Sequence, residues 1–138
     1  MSLSVCVSLE TLTRDECLEL LATVPVGRIG VSIGALPVIL PVNFALVGDH
    51  IVIRTVPGTK LDAATRRAVV AFEVDSFATD GSSGWSVMVQ GVCSEVVDAG
   101  ERAVLASSPP HPWAFAAGDA QRFVRIEASF VSGRRFGR

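Results

Sequence analysis

Apolar residues recur along this chain in two rhythms. Between Thr13 and Pro25, residues Cys17, Leu18, Leu20, Leu21 and Val24 fall at helical spacing. Thr13 followed by Glu16 has the form of a capping box, and Pro25 closes the run, so one N-terminal helix is predicted there. From Val26 the rhythm becomes β. Val26 to Ile33 is short and rich in β-branched residues, Gly34-Ala35 suits a tight turn, and Leu36 to Val47 continues as strand. Pro37 and Pro41 interrupt that strand; neither can donate to a ladder, so they mark an edge or a bulge. Gly48-Asp49 turns the chain into a strand from His50 to Thr55. Pro57-Gly58 ends it, and a short helix is predicted from about Thr59 to Arg66.

Ala68 to Val74 is an almost continuous apolar strand. Ser76 to Ser83 is a polar loop, and Trp85 to Val97 a long strand bent at Gly91. Glu101 to Leu105 reads as a short helical stretch, and Ser107 to Pro112 as irregular chain. Arg122 to Phe130 alternates, which puts Val124, Ile126, Ala128 and Phe130 on one face. The sum is six strands, an N-terminal helix and short accessory helices. The strands follow one another through short turns without crossover helices, so a mostly antiparallel sheet or closed barrel is predicted, in a single domain over 1–138.

Composition narrows the class. The chain has 138 residues, 49% hydrophobic and 19% charged, with a net charge of −2. That is too apolar for a disordered chain. No run approaches the ~18 apolar residues of a membrane-spanning helix, and the charge argues against a general nucleic-acid binder. So much apolar side chain in a small protein leads us to expect a subunit interface, which resembles a cut core. Cys6, Cys17 and Cys93 form no C-x-x-C pair and read as buried thiols of a reducing compartment. Met1 to Leu9 shows neither a basic start nor a long apolar stretch, so cytoplasm is the expected location. His50 and His111 never approach the cysteines at metal-ligand spacing, and no metal is expected. The chain has no tyrosine, so aromatic contacts fall to Trp85, Trp113 and the phenylalanines.

Several segments carry candidate chemistry. In Arg54-Thr55-Val56-Pro57-Gly58-Thr59-Lys60, a strand delivers Arg54 and Thr55 to its end, and Lys60 opens a short helix. A guanidinium, hydroxyls, an ammonium and helix amides together suit a phosphate. The same residues would also serve as solvated charges around an N-cap at Thr59. Asn43 sits between Val42 and Phe44 in an apolar strand. It could bond a ligand edge with both donors and acceptors, or satisfy itself on neighbouring backbone. Trp85 could cover a planar ligand, lock an interface or pack in the core. Ser86 lacks the setting of a hydrolytic nucleophile. Glu73 and Asp75 share a strand face as a carboxylate pair or as solvated strand-end charges, and Arg134 and Arg135 are either solvated or bind an anion or a partner subunit.

In order, these segments are G-R-I-G (27–30), P-V-N-F (41–44), R-T-x-x-G-T-K (54–60), A-F-E-V-D (71–75), G-W-S-V (84–87) and G-R-R (133–135). From about Thr13 to Arg135 the chain resembles the pyridoxamine 5'-phosphate oxidase-like family of flavin-binding split barrels, in a compact, actinobacterial-looking form. The resemblance implies a six-stranded split β-barrel that dimerises with itself, with FMN in a groove at the interface. It puts the phosphate grip on Arg54, Thr55, Thr59 and Lys60, the ring contact on Val42 and Asn43, and a second flavin-lining strand on Trp85 and Ser86. The flavin would do the redox chemistry while Asn43 tunes its pyrimidine edge. With no tyrosine, protons would come from solvent, Ser86 or the small-molecule substrate. The family's true oxidases are longer and carry a basic substrate-gripping segment that is not found here, so the substrate stays open. Related split barrels use a deazaflavin coenzyme, for which Arg66, Arg67, Arg134 and Arg135 could form a basic groove, or haem, or act as flavin stores or sensors. The substrate loops would include Ser76–Ser83 and Ser107–Gly118.

Overall fold

The computed structural model describes residues 8–107 and 122–137. The expectations for Cys6, His111 and Trp113, and for the stretch beyond Ser107, lie outside the described residues. Strand β1 (Leu9–Thr11) leads into helix α1 (Arg14–Leu21). The Thr13 hydroxyl accepts the Glu16 amide and the Glu16 carboxylate accepts the Thr13 amide, so the predicted capping box is formed. Strands β2 (Val26–Ile33) and β3 (Leu36–Asn43) make a hairpin through Gly34 and Ala35. Both turn residues are left-handed, with φ of 56° and 64°, as a two-residue turn that follows the strand twist requires.

The predicted strand from Leu36 to Val47 divides at Phe44, whose amide donates to the Pro25 carbonyl at 3.2 Å. Beyond it β4 (Ala45–Val47) leaves β2 and pairs with β5 (His50–Thr55). Helix α2 (Lys60–Ala64), strands β6 (Val69–Phe77) and β7 (Gly84–Glu95), helix α3 (Ala99–Ala106), and strands β8 (Arg122–Glu127) and β9 (Phe130–Phe136) follow. All pairings are antiparallel, in the order β3-β2-β6-β7-β8-β5-β4. Since β3 and β4 are consecutive pieces of one run, the path ends where it began and the sheet curls into a split barrel. Nine strands are present among the described residues. The six expected ones form the barrel; the division at Phe44 and the added β1 and β9 make up the difference.

Strand β7 changes partners along its length. Gly84 to Gln90 pair with β9, and Cys93 to Glu95 pair with β8. The change of partner falls about Gly91, where any side chain would run into the Glu127 carbonyl. One expectation is corrected. Val124, Ile126 and Ala128 point inward, but Phe130 is 73% exposed. The chain breaks at Ser129, whose amide turns back to the Glu127 carbonyl, and Phe130 opens β9 outside the barrel.

Inside the barrel Ile29, Phe72, Val87, Val89 and Ile126 are fully buried, and Phe72 meets Phe44 edge-on at 4.8 Å. Helix α1 contributes Cys17 and Leu21 to this core. Cys17 and Cys93 are free and buried, and burial pushes the Cys93 thiol up to about 12. Such thiols stay protonated and inert. On the other side of β5 and β8, helix α3 covers a smaller cluster of Val52, Val96, Leu105 and Phe123. Among the described residues, no helix is long and apolar enough to cross a membrane.

Candidate functional site

Strand β5 carries Arg54 and Thr55 to the turn at Pro57-Gly58, where Gly58 takes a φ of 84° open to glycine but strained for other residues. Thr59 caps α2. Its hydroxyl accepts the Asp62 amide at 3.2 Å and donates to the Val56 carbonyl at 2.7 Å. Lys60 is the first residue of α2 and is exposed, with no ion pair among the described residues. At the centre of this segment lies a residue that sequence reasoning missed. Asp62 is 1% exposed. Its carboxylate accepts from the Thr55 hydroxyl at 3.0 Å, the Gly58 amide at 3.2 Å, Arg66 at 3.3 Å and Arg122 at 2.6 Å to both oxygens. Arg122 also reaches Glu95 at 3.2 Å. Burial alone would push the Asp62 carboxyl up. The Gly58 amide, Arg122, Thr55 and Arg66 outweigh it and hold the carboxyl below its ordinary value.

Arg54 lies over the Phe123 ring at 4.9 Å and donates from Nη2 to the carbonyls of Leu105 and Ala106, at 3.2 and 3.3 Å, where α3 ends. Its Nε is buried without a hydrogen-bond partner, and burial lowers its pKa. Among the described residues, Arg54 therefore keeps one donor without a partner, and Lys60, across the Pro57-Gly58 turn, makes no ion pair. Either cation could hold an anionic group such as a flavin phosphate. The hydroxyls of Thr55 and Thr59 are committed internally, to Asp62 and to the helix cap.

The other expected residues stand on neighbouring strands and alternate between faces. Val42 points into the barrel and is 5% exposed. Asn43 ends β3 and donates from Nδ2 to the Pro25 carbonyl at 3.4 Å, a long local bond. Helix α2 packs against β2, the partner of this strand. Trp85 packs against the core and borders an open groove of about 420 Å³ with Phe77, Arg135 and Phe136. Arg135 reaches Glu10 only at 3.9 Å. Ser86 points outward, in register with Asp75 on one side and Arg134 on the other. The structure thus sets Thr55, Thr59 and Lys60 about one turn and turns Arg54 to the opposite face of β5, toward Phe123 and the end of α3. It leaves Val42 and Asn43, and likewise Trp85 and Ser86, on opposite faces of their strands.

Ser86 belongs to the outward face of β3, β2, β6, β7 and β9. Here Arg28 reaches Glu73 at 3.4 Å and Asp75 at 3.3 Å. Arg28, Gly30, Ile39, Ala71, Glu73, Asp75 and Met88 line a shallow cavity of about 380 Å³. Glu73 is pushed up to about 7, first by burial and then by the neighbouring Asp75, against the pull of Arg28.

The model of the pyridoxamine 5'-phosphate oxidase family matches residues 13–135 of the chain. The chain is 38% identical to the protein Rv0080 of Mycobacterium tuberculosis over 129 residues, which cover 90% of this chain and 83% of that protein. Among solved structures, it is similar to an FAD-binding protein of Mycobacterium smegmatis, with a TM-score of 0.77 and 31% identity over 93% of this chain and 98% of that one. It is also similar to an FAD-binding protein of Mesorhizobium loti, with a TM-score of 0.76 and 25% identity over 96% of this chain and 99% of that one.

Proposed function

We propose that this chain, which belongs to the pyridoxamine 5'-phosphate oxidase family, is a flavin-binding oxidoreductase that works as a homodimer on a small-molecule substrate. The observation that carries this reading is the R-T-x-x-G-T-K segment, on which Lys60 is exposed with no ion pair among the described residues and Arg54, held on the end of α3, has an Nε without a partner among them. FMN presents one terminal phosphate dianion, which these cations would hold. Similarity to two FAD-binding proteins favours FAD as the second reading.

When bound, the flavin supplies the hydride and electron chemistry. The chain's own residues bind and orient it. Arg54 and Lys60 hold phosphate. The Asn43 amide exchanges its long bond to Pro25 for the pyrimidine edge of the ring. Ser86 can hold a proton at its hydroxyl, and the apolar outward face excludes water once a second copy covers it. The knot at Asp62 fixes the turn that presents Lys60.

Titrating the purified protein with FMN, FAD and a deazaflavin coenzyme, followed by flavin fluorescence, tests the reading and ranks the cofactors. Arg54→Ala and Lys60→Ala should each weaken flavin binding by about ten- to a hundredfold, the value of a hydrogen bond to a charged group. Unchanged affinity rules out this phosphate site, and failure to bind any flavin rules out the function. Reduction of the bound flavin by NADH or NADPH distinguishes an enzyme from a flavin store.

A further inference from the structure

The outward face of β3, β2, β6, β7 and β9 is unusually apolar for a surface. Ile39 is 73% exposed, Val69 75%, Phe130 73%, Val92 42% and Met88 38%. The register puts them on one side of five neighbouring strands. Contiguous apolar surface of this kind marks an interaction site. A second copy of the chain suits it, because a two-fold interface needs a self-complementary patch. This one carries both signs of charge along its edge, Arg28 beside Glu73 and Asp75.

We infer that the Arg28–Glu73–Asp75 cluster makes the pairing of two copies of this chain pH-dependent, tight below neutrality and loose above it. The inference rests on the homodimer reading above and adds its regulation. The charge count is the first reason. With both carboxylates ionised, one guanidinium faces two negative groups, and a second copy brings the same imbalance to the same interface. One proton on Glu73 leaves Arg28 and Asp75 as a balanced pair. The surroundings offer little other compensation. From β7 the facing side chains are Ser86, Met88 and Gln90, and from β3 Ile39 and Pro41, none of them charged. From β9 the facing charge is Arg134, in register with Ser86 and so separated from Asp75 by the width of β7.

Desolvation is the second reason. Glu73 already sits at about 7 in the single chain, with burial as the largest cause. Covering the face removes more water and raises it further. Dimerisation then takes up a proton at each Glu73, and by linkage the association weakens as pH rises through the monomer's value.

Fluorescence-detected sedimentation of the full chain from pH 6 to 8.5 tests this. The dimer Kd should rise at least about tenfold across that range. Glu73→Gln, a near-isosteric neutral side chain, should hold Kd at its low-pH value throughout. Arg28→Met should move the transition to higher pH, since Asp75 then acts on Glu73 unopposed. A dimer whose Kd is flat with pH, or a Glu73→Gln variant that keeps the wild-type slope, overturns the inference and leaves the dimer intact. A monomer at every pH overturns the homodimer reading itself and this inference with it.

Discussion

Asp62 and Glu73 each lie within reach of an arginine, yet they are held in opposite states. Asp62 is almost wholly buried and sits below its ordinary pKa; Glu73 is partly solvated and sits near 7. Burial therefore does not decide the outcome. The supply of donors does. Asp62 receives two guanidinium groups, a hydroxyl and a backbone amide. Glu73 shares one guanidinium with a second carboxylate. The first arrangement locks a turn. The second leaves a surface group poised to change charge near neutrality.

The comparison breaks most visibly if the lock is removed. Asp62→Ala strands the Gly58 amide, leaves the Thr55 hydroxyl only its 3.4 Å bond to the Arg122 carbonyl, and leaves Arg122 without its main partner. It should destabilise the fold by about 3 kcal/mol, the low end for a broken buried pair because Arg122 keeps Glu95. Urea denaturation measures this. The double variant Asp62→Ala/Arg122→Met should be less unstable than the sum of its single changes, since neither charge is left alone. Full additivity would mean that the two side chains do not act as a pair.

Next in size is a change that removes one donor and keeps the charge. Thr55→Val preserves shape but takes the buried hydroxyl from Asp62. The carboxylate keeps its arginines, so the loss should be about 1.5 kcal/mol by urea midpoint. Flavin affinity should change far less than in Arg54→Ala, because Thr55 faces Asp62. A loss of flavin binding as large as that of Arg54→Ala, in a variant that stays folded, would return Thr55 to the phosphate site.

The same contrast explains what could be read in the sequence. The barrel strands, the capping box at Thr13 and the turn at Gly34-Ala35 were legible because each rests on local spacing or on a backbone requirement. Strand β9 was not, because Gly133-Arg134-Arg135 looks polar and its pairing with β7 is long-range. Phe130 was misplaced because a single break at Ser129 reverses the alternation. The turn at Pro57-Gly58, with Arg54 and Lys60 as its candidate anion-binding cations, was readable from charge and turn chemistry. Asp62 was invisible as its organiser, since an acidic residue near a helix start usually faces water, and its main partner, Arg122, lies 60 positions away in sequence. The one available signal was a buried-type Thr55 followed by an acid on the helix it leads into.

The smallest expected effect is also the one that separates the two carboxylates most directly. Asp62 has a folded pKa below its unfolded one, so its stabilisation is present above the unfolded value and is lost only as pH falls through the folded one, in the acid range. Glu73 behaves in the opposite sense. Its folded value of about 7 lies above the ordinary 4.5, so between those limits the native state binds more protons than the unfolded chain. Stability should therefore decline as pH rises from about 4.5 to about 7 and level off beyond. Glu73→Gln removes this decline and leaves the acid limb of Asp62 in place. The difference is modest because Glu73 is 36% exposed and its interactions are screened. Thermal midpoints of both proteins at pH 5 and pH 8, taken at matched concentration, measure it. Wild type should lose more than the variant on going to pH 8. Parallel losses would mean that Glu73 is ionised at both pH values and that Arg28 satisfies both carboxylates at once.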